Sequence, residues 1–435
     1  MLKRGRTAVV RGALALLRLV NRRRGRRLPP PDTRTVRLLL LHAYGMGGTI
    51  RTVFNLAGYL ARDRDVEIVS LIRENPEPFF AVPPGVRLTV LDDRLGRRGP
   101  LARLLSRMPS RLMPEQEKAY HRFTLWSDLR LIRYLRSLRS GVLITTRPGF
   151  NLAAALLAPP GVILIGQEHV TLESHDPELV KLIKRRYGRL DALVTLTEAD
   201  LRHYRRELRA SPPRHLVRIP NAVAPLAGEI SRLEEKTVIA IGRIVRAKGF
   251  DRLVKAWRHV AAEHPDWTLR IYGAGTPENE ERLRGRIAAA GLTGRVLFMG
   301  STPEIGLELA KSSIYVVSSR YEGFGMTILE AMSKGVPVVS FDCPTGPADV
   351  IAHGENGLLV PPGDVAGLAQ AMITLIRDRE LRVAMGKAAL RAVAGYGPEA
   401  VAPRWHELFT ELAAGRRVTG AGGVRDAGSA GVLRP

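Results

Sequence analysis

The chain has 435 residues, 45% of them hydrophobic, with a formal charge of +25 and one cysteine. That length supplies enough apolar material for two domains. The lone Cys343 excludes an internal disulfide framework and suits the cytosol, and no group of Cys and His has zinc spacing.

Residues 1–27 hold ten lysines and arginines and no acid, around the short apolar stretch Ala13 to Val20. Arg18 interrupts that stretch and no small-residue cleavage site follows, so neither a membrane-spanning helix nor a signal peptide fits. The arm reads either as an amphipathic element on an anionic inner leaflet or as a solvated basic tail. The first reading makes the protein cytoplasmic and peripheral to the cell membrane.

From Val36 onward, apolar runs predict strands at residues 36–41, 66–72, 86–91, 142–146, 162–165, 192–196 and 216–219. Helix-compatible stretches separate most of them. Runs of this kind joined by helices indicate a parallel sheet. After the first strand comes LHAYGMGGTIRTVFNLA, where Gly45, Gly47 and Gly48 turn the chain into a helix and Arg51 adds a charge. Asp63-Arg64-Asp65 precedes its strand and reads as a polar turn rather than a metal motif. The arginine-rich segment 94–139 reads as helical decoration. His169 and His175 lie in GQEHVTLESH, just past the strand at 162–165.

Pro220 precedes a linker at 223–236, which Pro225 and Gly228 punctuate. The strand rhythm then repeats at 237–241, 267–272, 296–299, 314–317 and 336–341. IGRIVRAKG places Gly242, Arg243, Lys248 and Gly249 after the first of these, where two cations can meet a diphosphate. Gly273-Ala274-Gly275 begins like a dinucleotide fingerprint, but Glu278 occupies the third glycine position. Cys343, in SFDCPTGP, reads as an inert small residue.

The most informative segment is SSRYEGFGMTILEAMSKG, residues 318–335. Gly323, Phe324, Gly325 and Met326 form a turn opening a helix, whose free amides favour an anion such as a diphosphate. Glu322 and Glu330 flank it. Eight helical steps span roughly 12 Å, against about 5 to 9.5 Å for the carboxylates of a glycosidase, so the two acids serve different parts of one long ligand.

This segment resembles the E-x7-E motif of the retaining glycosyltransferases of family 4. The likeness extends from Val36 to about Phe409. It implies an α/β fold of the GT-B type, two Rossmann-like parallel-sheet domains facing across a cleft. The divisions expected are a basic arm (1–32), an acceptor domain (33–222), the linker (223–236), a nucleotide-sugar domain (237–398), a helix (399–414) and a glycine-rich tail (415–435). By the same likeness, Glu322 contacts the donor sugar and Glu330 the ribose hydroxyls. Arg243 and Lys248 neutralise the leaving diphosphate with Gly242 beside them. Gly47 and Gly48 approach the donor phosphate, the amides of residues 323–326 meet diphosphate and sugar, and His169 lies at the reacting centre, with His175 a weaker rival.

The implied partners are a nucleotide-sugar donor, by default a UDP-hexose or UDP-N-acetylhexosamine, and a hydroxyl-bearing acceptor, lipid-linked, wall-polymer or small and soluble. No cofactor or metal is implied. A nucleic-acid partner is not expected, since no recognised module accompanies the charge. A sugar-nucleotide epimerase of the same architecture and a non-catalytic membrane or nucleic-acid binder are the other readings.

Overall fold

The computed structural model describes residues 31–421; the basic arm, residues 1–27, lies outside the described part, as do residues 422–435. Thirteen strands form two wholly parallel sheets among these residues. The first contains β1 (Thr35–His42), β2 (Asp65–Arg73), β3 (Val86–Asp93), β4 (Val142–Thr145), β5 (Ile163–Gln167), β6 (Ala192–Thr195) and β7 (His215–Arg218), in the order β3-β2-β1-β4-β5-β6-β7. The second contains β8 (Thr237–Ile241), β9 (Thr268–Tyr272), β10 (Val296–Gly300), β11 (Ile314–Val317), β12 (Val338–Phe341) and β13 (Gly357–Val360), in the order β10-β9-β8-β11-β12-β13.

Strand β1 shows why the sheet is doubly covered. Leu39 and Leu41 point into one core with Phe150 and Leu164, while Val36, Leu38 and Leu40 point into another with Phe54 and Leu60. Alternation with both faces apolar is what a parallel sheet under two helical layers requires. Strand order reverses between β1 and β4, which pair through Val36↔Val142 and Leu39↔Thr145, and again between β8 and β11. Ligands in open α/β sheets bind beyond the carboxyl ends of strands at such switch points.

Two features depart from the expectation. Strand β13 was not legible, because GLLV is only four residues long and starts on a glycine; a Cβ at Gly357 would stand 2.6 Å from the carbonyl oxygen of Val338, so only glycine lets the strands meet. The last helix runs Pro398–Ala421, seven residues into the segment read as tail. It packs against the first domain, burying Trp405, Leu408 and Phe409 among Val36, Phe54 and Leu60. Trp405 is 1% exposed, and truncating a buried aromatic of this kind costs about 3–5 kcal/mol. Among the described residues no helix is long and apolar enough to cross a membrane.

Candidate functional site

The loop after β8 is shaped by its glycines. Gly249 has φ +66°, and a Cβ there would lie 2.0 Å from the carbonyl oxygen of Ser318. The loop therefore lies directly on the one that follows β11. Ser318 donates its hydroxyl to the Lys248 carbonyl at 2.9 Å, and Arg320 forks onto both oxygens of Asp251 at 2.9 and 2.7 Å. These bonds fix the position of Lys248. Its alkyl stem runs over Gly242, where a Cβ would meet it at 3.2 Å.

At the end of that stem, Lys248 Nζ donates to both carboxylate oxygens of Glu322, at 2.6 and 2.9 Å. Ser319 Oγ donates to Glu322 Oε1 at 2.5 Å, and Thr345 Oγ1 donates to the Glu322 carbonyl at 2.8 Å. Thr345 has φ +65°, a conformation a β-branched residue rarely adopts, and Gly346 follows at φ +99°. The strained turn thus braces the backbone of Glu322. Arg243 lies in the same loop as Lys248, is exposed, and has no carboxylate partner among the described residues.

Gly325, at φ +85°, turns the chain into the helix Met326–Met332, and Phe324 is buried beside Tyr396 at 6.0 Å between rings. Glu330 lies on that helix, 4% exposed. Burial raises its carboxyl above the ordinary range, opposed first by Arg51 and then by Lys248. Arg51, on the first-domain helix Gly48–Leu60, reaches Glu330 Oε1 at 3.0 Å. The sequence marked Arg51 as a weak ligand contact; in the structure it partners a carboxylate of the other domain.

The first domain completes the cleft from β1 and β5. A Cβ at Gly45 would strike the His42 ring at 2.3 Å, whereas one at Gly48 would meet nothing within 4 Å and one at Gly47 only Ile50 at 3.8 Å. Gly47 and Gly48 thus leave a smooth open face. His169 follows β5, and its carbonyl oxygen lies where a Cβ on Gly323 would sit, at 2.5 Å. Its Nε2 is buried with no hydrogen-bond partner, and burial pushes its pKa down to about 4. His175 is turned away, its Nε2 3.8 Å from the buried Glu168.

Beyond Thr345 the cleft continues as a groove of about 460 Å³, lined by Glu198 and Arg202 of the first domain and by the 342–346 turn and Asp349 of the second. Cys343 is buried in this turn, its thiol pushed up to about 12 by burial and the neighbouring Glu322. Among the described residues no group of three or more His, Cys, Asp or Glu is arranged to hold a metal ion. Every second-domain residue expected to meet the donor, from Gly242 to Glu330, therefore lies on the two adjoining loops after β8 and β11 or on the helix that follows. Ser319, Thr345 and Gly346, which brace Glu322, carried no sequence signal beyond ordinary turn composition.

Residues 228–392, which contain all of these second-domain groups, match the family model for glycosyl transferases group 1. A variant of S. aureus TarM, solved with fondaparinux, α-GlcNAc-glycerol and UDP, superimposes with a TM-score of 0.67 over 87% of this chain and 100% of its own, at 16% identity. The fold is GT-B, and the second domain is a glycosyltransferase domain.

Two curated relatives extend the likeness across both GT-B domains. An exopolysaccharide phosphotransferase of Streptomyces coelicolor is 36% identical over 88% of this chain, which spans only 41% of that relative's length. An amylovoran biosynthesis glycosyltransferase of Erwinia amylovora is 26% identical over 83% of this chain and 96% of its own.

Proposed function

We propose that the protein is a retaining glycosyltransferase that moves a sugar from a nucleoside diphosphate donor, a UDP-hexose or UDP-N-acetylhexosamine, to a hydroxyl of a lipid-linked or wall-polymer acceptor of the cell envelope. The observation that carries this reading is the contact of Lys248 with both oxygens of Glu322, beside the unpaired Arg243 and across the cleft from the His169 loop. An ammonium fixed on a carboxylate marks the place where an anion and a hydroxyl-rich ring can be held side by side.

In this reading the diphosphate lies against Arg243, Lys248 and the amides of residues 323–326, which stabilise the charge that develops as the sugar's anomeric C–O bond breaks. Glu322 holds hydroxyls of the sugar and Glu330 those of the ribose. The acceptor oxygen bonds to the anomeric carbon on the face the diphosphate leaves, and its proton passes to a phosphate oxygen of the leaving group. His169, kept neutral by the burial of its ring, helps position the reacting centre through its loop, whose carbonyl oxygen abuts Gly323. No protein nucleophile is needed.

The envelope acceptor is supported by the curated names of the two relatives, and the uridine donor by the UDP in the TarM structure. The test is a matrix of UDP-, GDP- and ADP-sugars against lipid, wall-polymer and small soluble acceptors. Transfer from a UDP-sugar with retained anomeric configuration is the expected result. Release of free sugar products without any acceptor would make the protein an epimerase or hydrolase instead.

A further inference from the structure

We infer that the outer face of the first domain, built by residues 94–111 and the helix Leu125–Ser137, docks on an anionic membrane surface. This inference rests on the surface chemistry of that face alone and does not depend on the transfer reaction.

Residues 94–139 contain eleven arginines and one lysine against three acids. Two of the acids are buried and already used. Asp128 accepts from Ser110 Oγ and from the amides of Arg111 and Leu112, and Glu117 accepts from the Gly149 amide and lies 3.6 Å from Arg147. Glu115 is thus the one exposed acid of the segment, among many exposed arginines. Asp92 and Glu74 pair with Arg94, Arg98 and Arg122, and the exposed arginines that remain, Arg103, Arg107 and Arg133 among them, keep the field outside this face positive.

Charge alone would suit any polyanion, but the same face is also apolar. The helix Pro100–Ser106 buries Ala102 and turns Leu101 and Leu104 outward, 64% and 59% exposed and three residues apart on one side. Leu95, Met108 and Leu129 are exposed around them. This helix packs on Leu125–Ser137, whose Trp126 is partly exposed with the Arg130 guanidinium 6.0 Å from its ring centroid. Leucines flanked by arginines, with a tryptophan at the margin, match the layering of a headgroup region over acyl chains. A duplex or a single strand offers no use for the leucines.

The face is also wired to the cleft. Arg94 pairs with Glu74 at 2.6 Å and donates to the Arg122 carbonyl at 2.6 Å, while Arg122 also pairs with Glu74, just past β2. A membrane under this face therefore lies beside the carboxyl ends of β2 and β3, at the rim where the first domain meets its ligand.

A spectroscopic test separates this face from the basic arm. Trp257, Trp267 and Trp405 are buried, and residues 1–27 contain no tryptophan, so Trp126 alone can meet a quencher. Full-length protein is mixed with vesicles of phosphatidylglycerol and phosphatidylcholine in equal parts, the latter brominated near the headgroup. Sedimentation and tryptophan quenching are then read at low and high salt, and again with phosphatidylcholine alone.

Binding with quenching, lost in salt and on neutral vesicles, is expected. Arg103→Ser with Arg107→Ser should weaken binding about fivefold for each arginine removed, and Leu101→Ser with Leu104→Ser should abolish quenching with the melting temperature unchanged. Three results overturn the inference: no sedimentation, sedimentation without quenching (the arm holds the protein while this face stays in water), or quenching that both variants retain.

Discussion

Arg51 of the first domain and Glu330 of the second meet at 3.0 Å across the cleft, and the carboxylate is almost wholly buried. Burial raises the Glu330 pKa, so the folded state holds its proton to higher pH than the unfolded chain, and stability falls as pH rises through that window. Arg51 opposes this by favouring the charged form. In Arg51→Ala the loss should be larger, so the melting-temperature gap between variant and wild type widens as pH rises above the ordinary carboxylate range. A constant gap would show that Arg51 does not compensate the carboxylate.

The two glutamates should separate by ligand. In the proposed reading, Glu330→Gln weakens binding of UDP about tenfold or more, the scale of a lost hydrogen bond to a charged group. Glu322→Gln spares UDP and damages transfer. Calorimetry with UDP decides between this and a shared role, which would appear as equal loss in both variants.

Arg243 and Lys248 should both matter for turnover, each loss being about a hundredfold if they stabilise the leaving diphosphate. Their effects on stability should differ. Lys248→Ala leaves Glu322, only 9% exposed, without its cation and should lower the melting temperature, whereas Arg243 is exposed and unpaired and its loss should not. Turnover within twofold of wild type in both would remove the pair from the mechanism.

His169 should be neutral throughout the working range. Its folded pKa of about 4 lies below the value near 6.5 of an unfolded chain, so its contribution to stability is present above about pH 6.5 and is lost as pH falls toward 4. His169→Gln should therefore flatten the acid limb of the stability profile, measured by denaturant unfolding. A transfer rate whose midpoint near 6.5 vanishes in this variant would mean that His169 titrates in water.

Gly323→Ala tests the closeness of the domains. A Cβ there would sit 2.5 Å from the His169 carbonyl oxygen, so the variant must hold the cleft open. Transfer should fall while UDP binding, served by second-domain residues, persists. Unchanged transfer would show that the approach of these loops is not needed for the reaction.

What was legible in the sequence followed from strong local signals. Strands such as Ile314–Val317 are unbroken apolar runs, and the turns after β8 and β11 declare themselves through Gly249 and Gly325, which need positive φ. The braces of the site were not legible. Ser319 and Thr345 are ordinary turn residues until the chain brings both to Glu322, and a threonine at φ +65° leaves no trace in composition. Arg51 could be seen to lie near a glycine loop, but its partner is 279 positions away on another domain. Pairings of that kind depend on how two separately folded sheets face each other, which no local pattern encodes.

The return of the final helix has a mechanical consequence. The chain crosses between the domains twice, once through residues 223–236 and once just before Pro398, and the two crossings are stitched where the Val223 amide donates to the Tyr396 carbonyl at 2.9 Å. Two strands of chain crossing side by side restrict the domains to bending at that stitch, instead of the free tumbling a lone linker would allow. Phe324, on the turn into the Glu330 helix, lies 6.0 Å from the Tyr396 ring, so the Arg51–Glu330 pair sits close to this joint and moves through a short arc when the cleft opens.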